Sequence, residues 1–225
     1  MGIGYVIKRY RKDALITNFA LTMTSSLPLL AIINFVVNHG INIWIFPLTF
    51  LNSFLSGFYL KISKFLGINL AVFFEFAISC FLLIVFIFEE SPLLLISIAL
   101  VLAIAHKLSR ITEIGIIMNY SIAFFSPLLD LFLFNEQLVV QNTFISSFMA
   151  LVLEDILRSR MIDEEIIENF NKKLSFSGDE NILVLGGLGG FDSLYSIPLI
   201  STFINFFIIY ILNIHIPFTI QKFVG

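Results

Sequence analysis

The sequence predicts an all-α integral membrane protein, a polytopic bundle of about seven spans forming one domain over residues 1–225, and three observations predict it. First, 58% of the 225 residues are hydrophobic and only 13% charged, with a mean hydropathy of +0.98, whereas soluble domains carry about 25% charged residues. Second, the apolar residues, 27 phenylalanines among them, fall in separated runs near the roughly 20 residues that cross a bilayer. Third, the basic residues segregate to one set of connections, as the positive-inside rule requires.

The first span is expected at 15–37, behind Lys8, Arg9, Arg11 and Lys12. No small-residue cleavage site follows it, so it reads as a retained span and not a leader. Spans at 41–60 and 67–88 come next. A shorter one at 91–106 is joined to the third by Glu89, Glu90, Ser91 and Pro92. That string suits a tight outer hairpin, because proline is tolerated in a first helical turn and acids favour the positive end of the helix dipole. Spans at 114–135 and 138–157 precede a seventh within 182–214. With the N-terminus cytoplasmic, twelve of the thirteen basic residues lie inside and only Lys222 outside. Asn38, His39, Glu89, Glu90 and Glu136 then mark the outer face. The expected location is the cell membrane, with the C-terminus outside.

The one long hydrophilic connection, 158–181, carries Ile162, Ile166, Phe170 and Leu174 at four-residue spacing among acids, the pattern of a short amphipathic cytoplasmic helix. Its four bases and six acids leave a net negative charge, which argues against nucleic acid as a partner. Cys80 is the only cysteine, so an internal disulfide and a cysteine-built metal site are excluded. His39 and His215 are isolated. Neither a metal nor a cofactor is expected, and the bilayer is the one partner composition demands.

Residues 182–220 run for 39 residues with a single formal charge, Asp192. As one helix they would extend about 58 Å, against a hydrocarbon core of about 30 Å. Gly186, Gly187, Gly189 and Gly190 weaken any helix there, so a broken or re-entrant lead-in is expected, with regular helix from Asp192 or Ser193. Non-helical backbone at membrane depth survives only inside protein or beside water, and an intramembrane carboxylate marks function by default. The structural alternative is that the glycines allow close packing and Asp192 caps the helix. A second carboxylate, Asp155 in the Glu154-Asp155 pair, falls at the cytoplasmic end of the sixth span, on the same side as Asp192; solvation with Arg158 as its partner is the bland reading. Glu75 and Asp130 also lie within spans, where each would need a buried base or polar partner. His106, Lys107 and Arg110 form a topology-setting loop.

With these residues in view, the order His106, Arg110, Gly115-Ile116, Pro127, Leu153-Glu154-Asp155-Ile156 and then Gly186-Gly187-Leu188-Gly189-Gly190-Phe191-Asp192-Ser193 resembles the prokaryotic membrane family called domain of unknown function 1614, mainly over residues 100–205. That resemblance implies positions and no reaction. Gly187-Leu188-Gly189, with carboxylates at the inner ends of the sixth and seventh spans, is also similar to the presenilin-type intramembrane aspartyl proteases, although Gly190 stands where their second aspartate falls. This likeness implies cleavage of membrane-embedded peptides, with Asp155 and Asp192 as the catalytic pair and Gly186, Gly187, Gly189, Gly190 and Ser193 against the substrate. The other readings are a proton- or cation-coupled carrier or channel built on the same carboxylates, and a structural membrane protein.

The topology is testable. In a Cys80-free background, Gly178→Cys should react with an impermeant reagent only after the inner face is opened, and Glu90→Cys from outside; the reverse labelling would overturn the orientation.

Overall fold

The computed structural model describes residues 6–38, 42–63, 66–90, 92–112, 115–163, 165, 182–187 and 192–214. Among them are seven α-helices: α1 (Lys12–Asn38), α2 (Ile45–Leu55), α3 (Leu70–Glu90), α4 (Leu93–Leu108), α5 (Ile122–Leu133), α6 (Val139–Ser159) and α7 (Ser193–Phe206), the last prolonged by a π-helical turn, Phe207–Ile211. Every expected apolar run carries a helix. The amphipathic loop lies outside the described residues beyond its first few positions, as do Gly189 and Gly190.

Among the described residues, three helical segments are long and apolar enough to cross a membrane: Leu15–Phe35, Val139–Ser159 and Ser193–Ile211. The apolar stretches Ile45–Leu55, Leu70–Cys80, Leu93–Leu108 and Ile122–Leu133 are shorter; the eleven residues of α2 extend only about 16 Å. Strand accounts for part of the difference. β1 (Val6–Arg9), β2 (Phe58–Lys61), β3 (Leu66–Asn69) and β6 (Leu183–Leu185) form one sheet in the order β1-β2-β3-β6. Its neighbours are antiparallel except for the parallel β3–β6 pair, in which Gly67 faces Val184. A separate hairpin joins β4 (Arg110–Thr112) to β5 (Gly115–Ile117). The sequence reading put no strand in these places, because a short continuous apolar run is compatible with either element. β1, β3 and β6 precede α1, α3 and α7, while β2 follows α2. Their pairing therefore gathers those four helix ends at one end of the bundle.

The 182–192 segment begins as the strand β6 and not as irregular chain, and α7 starts at Ser193, as expected. After β6 the backbone turns back, with Gly187 N–H donating to Val184 O at 3.0 Å. Gly186 sits at φ +71°, where a Cβ would come within 2.2 Å of Val72 Cγ2. Glycine is required there twice over, by the left-handed backbone and by the contact with α3.

Burial runs opposite to that of a soluble bundle. On α2, Thr49, Asn52 and Ser53 are buried while Phe46, Phe50 and Phe54 are exposed; on α5, Ser126 and Asp130 are buried while Phe124, Phe125 and Phe132 are exposed. On α7, Ser201, Thr202 and Asn205 point inward and Phe203 and Phe207 outward. Exposed apolar surface on this scale is not maintained against water. At the centre stands α6, 89% buried over its candidate span although it carries Gln141, Asn142, Thr143, Ser146, Ser147, Glu154 and Asp155. Its hydroxyls bond partly to its own preceding turn, Thr143 to Val139 O at 2.7 Å and Ser147 to Thr143 O at 2.5 Å, as short polar side chains in helices do. The apolar core around it includes Leu94, Val101, Ile122, Phe144, Phe148, Leu151 and Ile197.

Pro127 lies inside α5. Lacking an N–H, it leaves the carbonyl four residues earlier without its helical donor. That carbonyl, Ala123 O, accepts from Ser201 Oγ of α7 at 3.3 Å, so the proline helps set where α7 docks.

Gly186→Ala should lower the stability by at least about 2 kcal/mol, read as a lower melting temperature in detergent. Adding Val72→Ala should restore only part of the loss, since it relieves the contact and not the backbone strain.

Candidate functional site

The C-terminal ends of α4 and α6 are tied together at Glu154, a fully buried carboxylate. Its Oε1 accepts from Ser109 Oγ at 2.5 Å and from Arg158 Nε at 2.7 Å, and its Oε2 lies 3.0 Å from His106 Nδ1. Arg158 Nη2 also donates to the carbonyls of His106 and Ser109. Arg158 therefore serves Glu154, four residues back and on its own helical face, and not Asp155 as the bland reading supposed. His106 likewise reaches α6, at Glu154. The cluster is an ion-paired clamp with its partners in place.

Asp155 faces another way. It is 6% exposed, and its Oδ1 is buried without a hydrogen-bond partner. The charged groups acting on it are Asp192 and Glu154, both acidic. Asp192 comes from the other direction as the N-cap of α7, in extended backbone (φ −62°, ψ 144°), its Oδ1 accepting from Leu194 N–H at 3.1 Å. Asp192 caps the helix, as the structural reading had it, and it also lies within electrostatic range of Asp155. Ser193 is half-buried and opens α7. Gly187 O accepts from Asn18 Nδ2 of α1 at 3.4 Å, which holds the turn behind β6 against the first helix.

Three groups that sequence reasoning did not assign to this site complete it. Tyr10, between β1 and α1, is buried edge-on against Tyr59 with ring centroids 5.1 Å apart. Burial pushes its phenol well above the usual range, and the Asp192 charge adds to that. Its Oη stands beside the Asn69 side chain without a hydrogen bond of normal geometry. Tyr195, one helical turn beyond Asp192, is fully buried with an unpartnered Oη and interacts electrostatically with Asp192, Tyr10 and Glu75. Glu75, flagged in the sequence only as an intramembrane carboxylate, accepts from Asn52 Nδ2 at 2.7 Å while its Oε2 is unpartnered. The i, i+3 spacing of Asp192 and Tyr195 was the available signal for the second tyrosine; for Tyr10, brought in by the sheet, there was none. Together the start of α1 and helices α3, α6 and α7 bring these polar groups to the strand end of the bundle.

Asp130 is distant from these groups along α6. Fully buried on α5, it accepts from Ser97 Oγ of α4 at 2.5 Å and from Ser146 Oγ of α6 at 2.8 Å, and so has polar partners and no base. The 148–153 stretch of α6, entirely apolar, separates Ser146 and Ser147 from Glu154 and Asp155 by at least about 10 Å. A groove of about 180 Å³ between α1 and α2, lined by Leu15, Phe19, Phe54, Phe58 and, at its rim, Arg9, does not involve the carboxylates. Among the described residues no group of three His, Cys, Asp or Glu side chains is placed to hold a metal ion.

No protein-family model, no curated protein and no solved structure matches the chain.

Glu154→Ala would strand the partly buried Arg158 cation and unlink α4 from α6. It should cost about 3 kcal/mol, the lower part of the range for breaking a buried pair, because Arg158 retains some water. Denaturant titration in detergent measures this; a loss no larger than that of an exposed substitution such as Lys107→Ala would remove the clamp from the account.

Proposed function

We propose that the chain is a seven-span membrane protein, N-terminus cytoplasmic, that moves a proton or small cation by way of its interior carboxylates. The observation that carries this reading is the placement of interior carboxylates at two depths beside one helix, Asp155, Glu75 and Asp130 buried and Asp192 half-buried. Asp155, Asp192 and Glu75 are gathered at the strand end and Asp130 lies toward the other, with an apolar barrier on α6 between them. A carrier needs polar sites on either side of a barrier that only a conformational change relieves. A one-ended hydrolytic site has no use for the second.

The inverted burial of α2, α5 and α7 supports a bilayer as their surroundings. The shorter helices are compatible with spanning, since α2 and the four residues of β2 together extend about 29 Å. Strand at membrane depth requires paired backbone inside protein, which the four-stranded sheet supplies. The likeness of the Gly186–Asp192 segment to domain of unknown function 1614 belongs to this reading as positions only.

A second reading, an aspartyl-type intramembrane hydrolase, is favoured by the mutual electrostatic influence of Asp155 and Asp192. Two carboxylates sharing one proton supply an acid and a base for water attack on an amide.

The experiment is reconstitution into vesicles under an imposed pH gradient with sodium or potassium as the metal cation. Wild type should dissipate the gradient, Asp155→Asn should slow it at least tenfold with the fold retained, and neither should cleave a helical membrane peptide. Cleavage by wild type that Asp155→Asn and Asp192→Asn each abolish, without ion movement, would replace the carrier by the hydrolase.

A further inference from the structure

We propose that Asp130 is the anionic ligand of a sodium-binding site built from α4, α5, α6 and α7, an inference that deepens the carrier reading and rests on it for its purpose. Four helices converge here through side chains. Besides the Ser97 and Ser146 hydroxyls on Asp130, Asn205 Nδ2 of α7 donates to Thr143 Oγ1 of α6 at 2.7 Å and to Pro127 O of α5 at 3.1 Å. All of these side chains are fully buried. Asn205 Oδ1, on the same amide, has no hydrogen-bond partner, and the Thr143 hydroxyl it sits beside also acts on Asp130. The Asn205 amide is oriented by its donation to a carbonyl, so its free atom is an oxygen. Buried polar atoms nearly always have a partner, and here an orphaned amide oxygen lies beside the hydroxyls that serve a carboxylate.

The donor chemistry selects the ligand. Carboxylate, hydroxyl and amide oxygens are hard donors suited to alkali and alkaline-earth ions, and there is no thiolate or imidazole among them. Divalent ions draw several carboxylates, whereas one carboxylate with neutral oxygens makes an uncharged complex with a monovalent cation, the least costly state inside an apolar bundle. Ser97 and Ser146 keep lone pairs for the ion while donating to Asp130. A proton alone would neutralise Asp130 but would leave the Asn205 oxygen unpartnered.

The test is thermal unfolding of the purified full chain in detergent at constant ionic strength, titrating sodium chloride against choline chloride and, separately, potassium chloride. Sodium at saturation should raise the melting temperature by about 3 °C or more and potassium by less. Ser146→Ala should shift the sodium midpoint at least fivefold upward, and Asp130→Asn should abolish the response. Should Asp130→Asn fail to fold, the wild-type ion comparison and Ser146→Ala still decide. No response to sodium in wild type, an equal or larger response to potassium, or a sodium response unchanged in Ser146→Ala would overturn the site. Vesicles that carry protons through Asp155 without any sodium effect would defeat this inference and leave the carrier. Sodium stabilisation in a protein that moves no ions would keep the site and defeat the carrier.

Discussion

The most polar of the three long helices occupies the middle of the bundle, and most other features follow from that. α6 has the lowest mean hydropathy of the three, 1.2, and the highest burial, 89%. Its amide, hydroxyl and carboxyl groups must find partners on neighbouring helices, because an unpaired buried polar group costs on the order of 1–3 kcal/mol. The neighbours answer with polar faces of their own: Ser97 from α4, Asp130 from α5, Asn205 from α7. With those faces turned inward, phenylalanines of the same helices such as Phe124, Phe125, Phe132 and Phe203 lie outside, while Leu94, Ile122, Leu133 and Leu194 fill the apolar core beside the polar axis. The inverted burial is thus a consequence of the polar axis as well as a sign of the surroundings.

At the strand end a second device takes over. Helices cannot bring chain segments as close as hydrogen-bonded strands, which run about 4.8 Å apart. The β1-β2-β3-β6 sheet draws the beginnings of α1, α3 and α7 together, and with them Tyr10, Asn69 and Asp192. Gly186 makes this possible by passing against Val72 at a positive φ. Asp192 then has two duties that suit each other: one oxygen is held by the Leu194 N–H at the helix start, and that bond fixes the side chain where it meets Asp155.

The division of labour in Glu154-Asp155 shows why a pair of adjacent acids is ambiguous in sequence. Neighbouring residues on a helix point about 100° apart, so one can meet α4 while the other meets α7. Arg158 is four residues from Glu154 and three from Asp155, and either spacing permits a contact. Ser109 and His106, both from α4, decide it in favour of Glu154. Asp130 was legible as an intramembrane carboxylate, but its partners Ser97 and Ser146 stand 33 and 16 residues away, and no local pattern announces them.

By itself the sequence determined the number and order of the apolar helical segments, the start of α7 at the end of the glycine run, and the presence of Asp155 and Asp192 among apolar surroundings. Each of these is written in local composition: hydrophobic runs, helix-weakening glycines and charges where charge is costly. The tertiary structure decided where helix gives way to strand, which carboxylate is clamped and which left with an open oxygen, and which tyrosines and hydroxyls gather around each acid. Those outcomes depend on pairing between backbones and side chains far apart along the chain, and the energy of a hydrogen bond or an ion pair is set by distance in space.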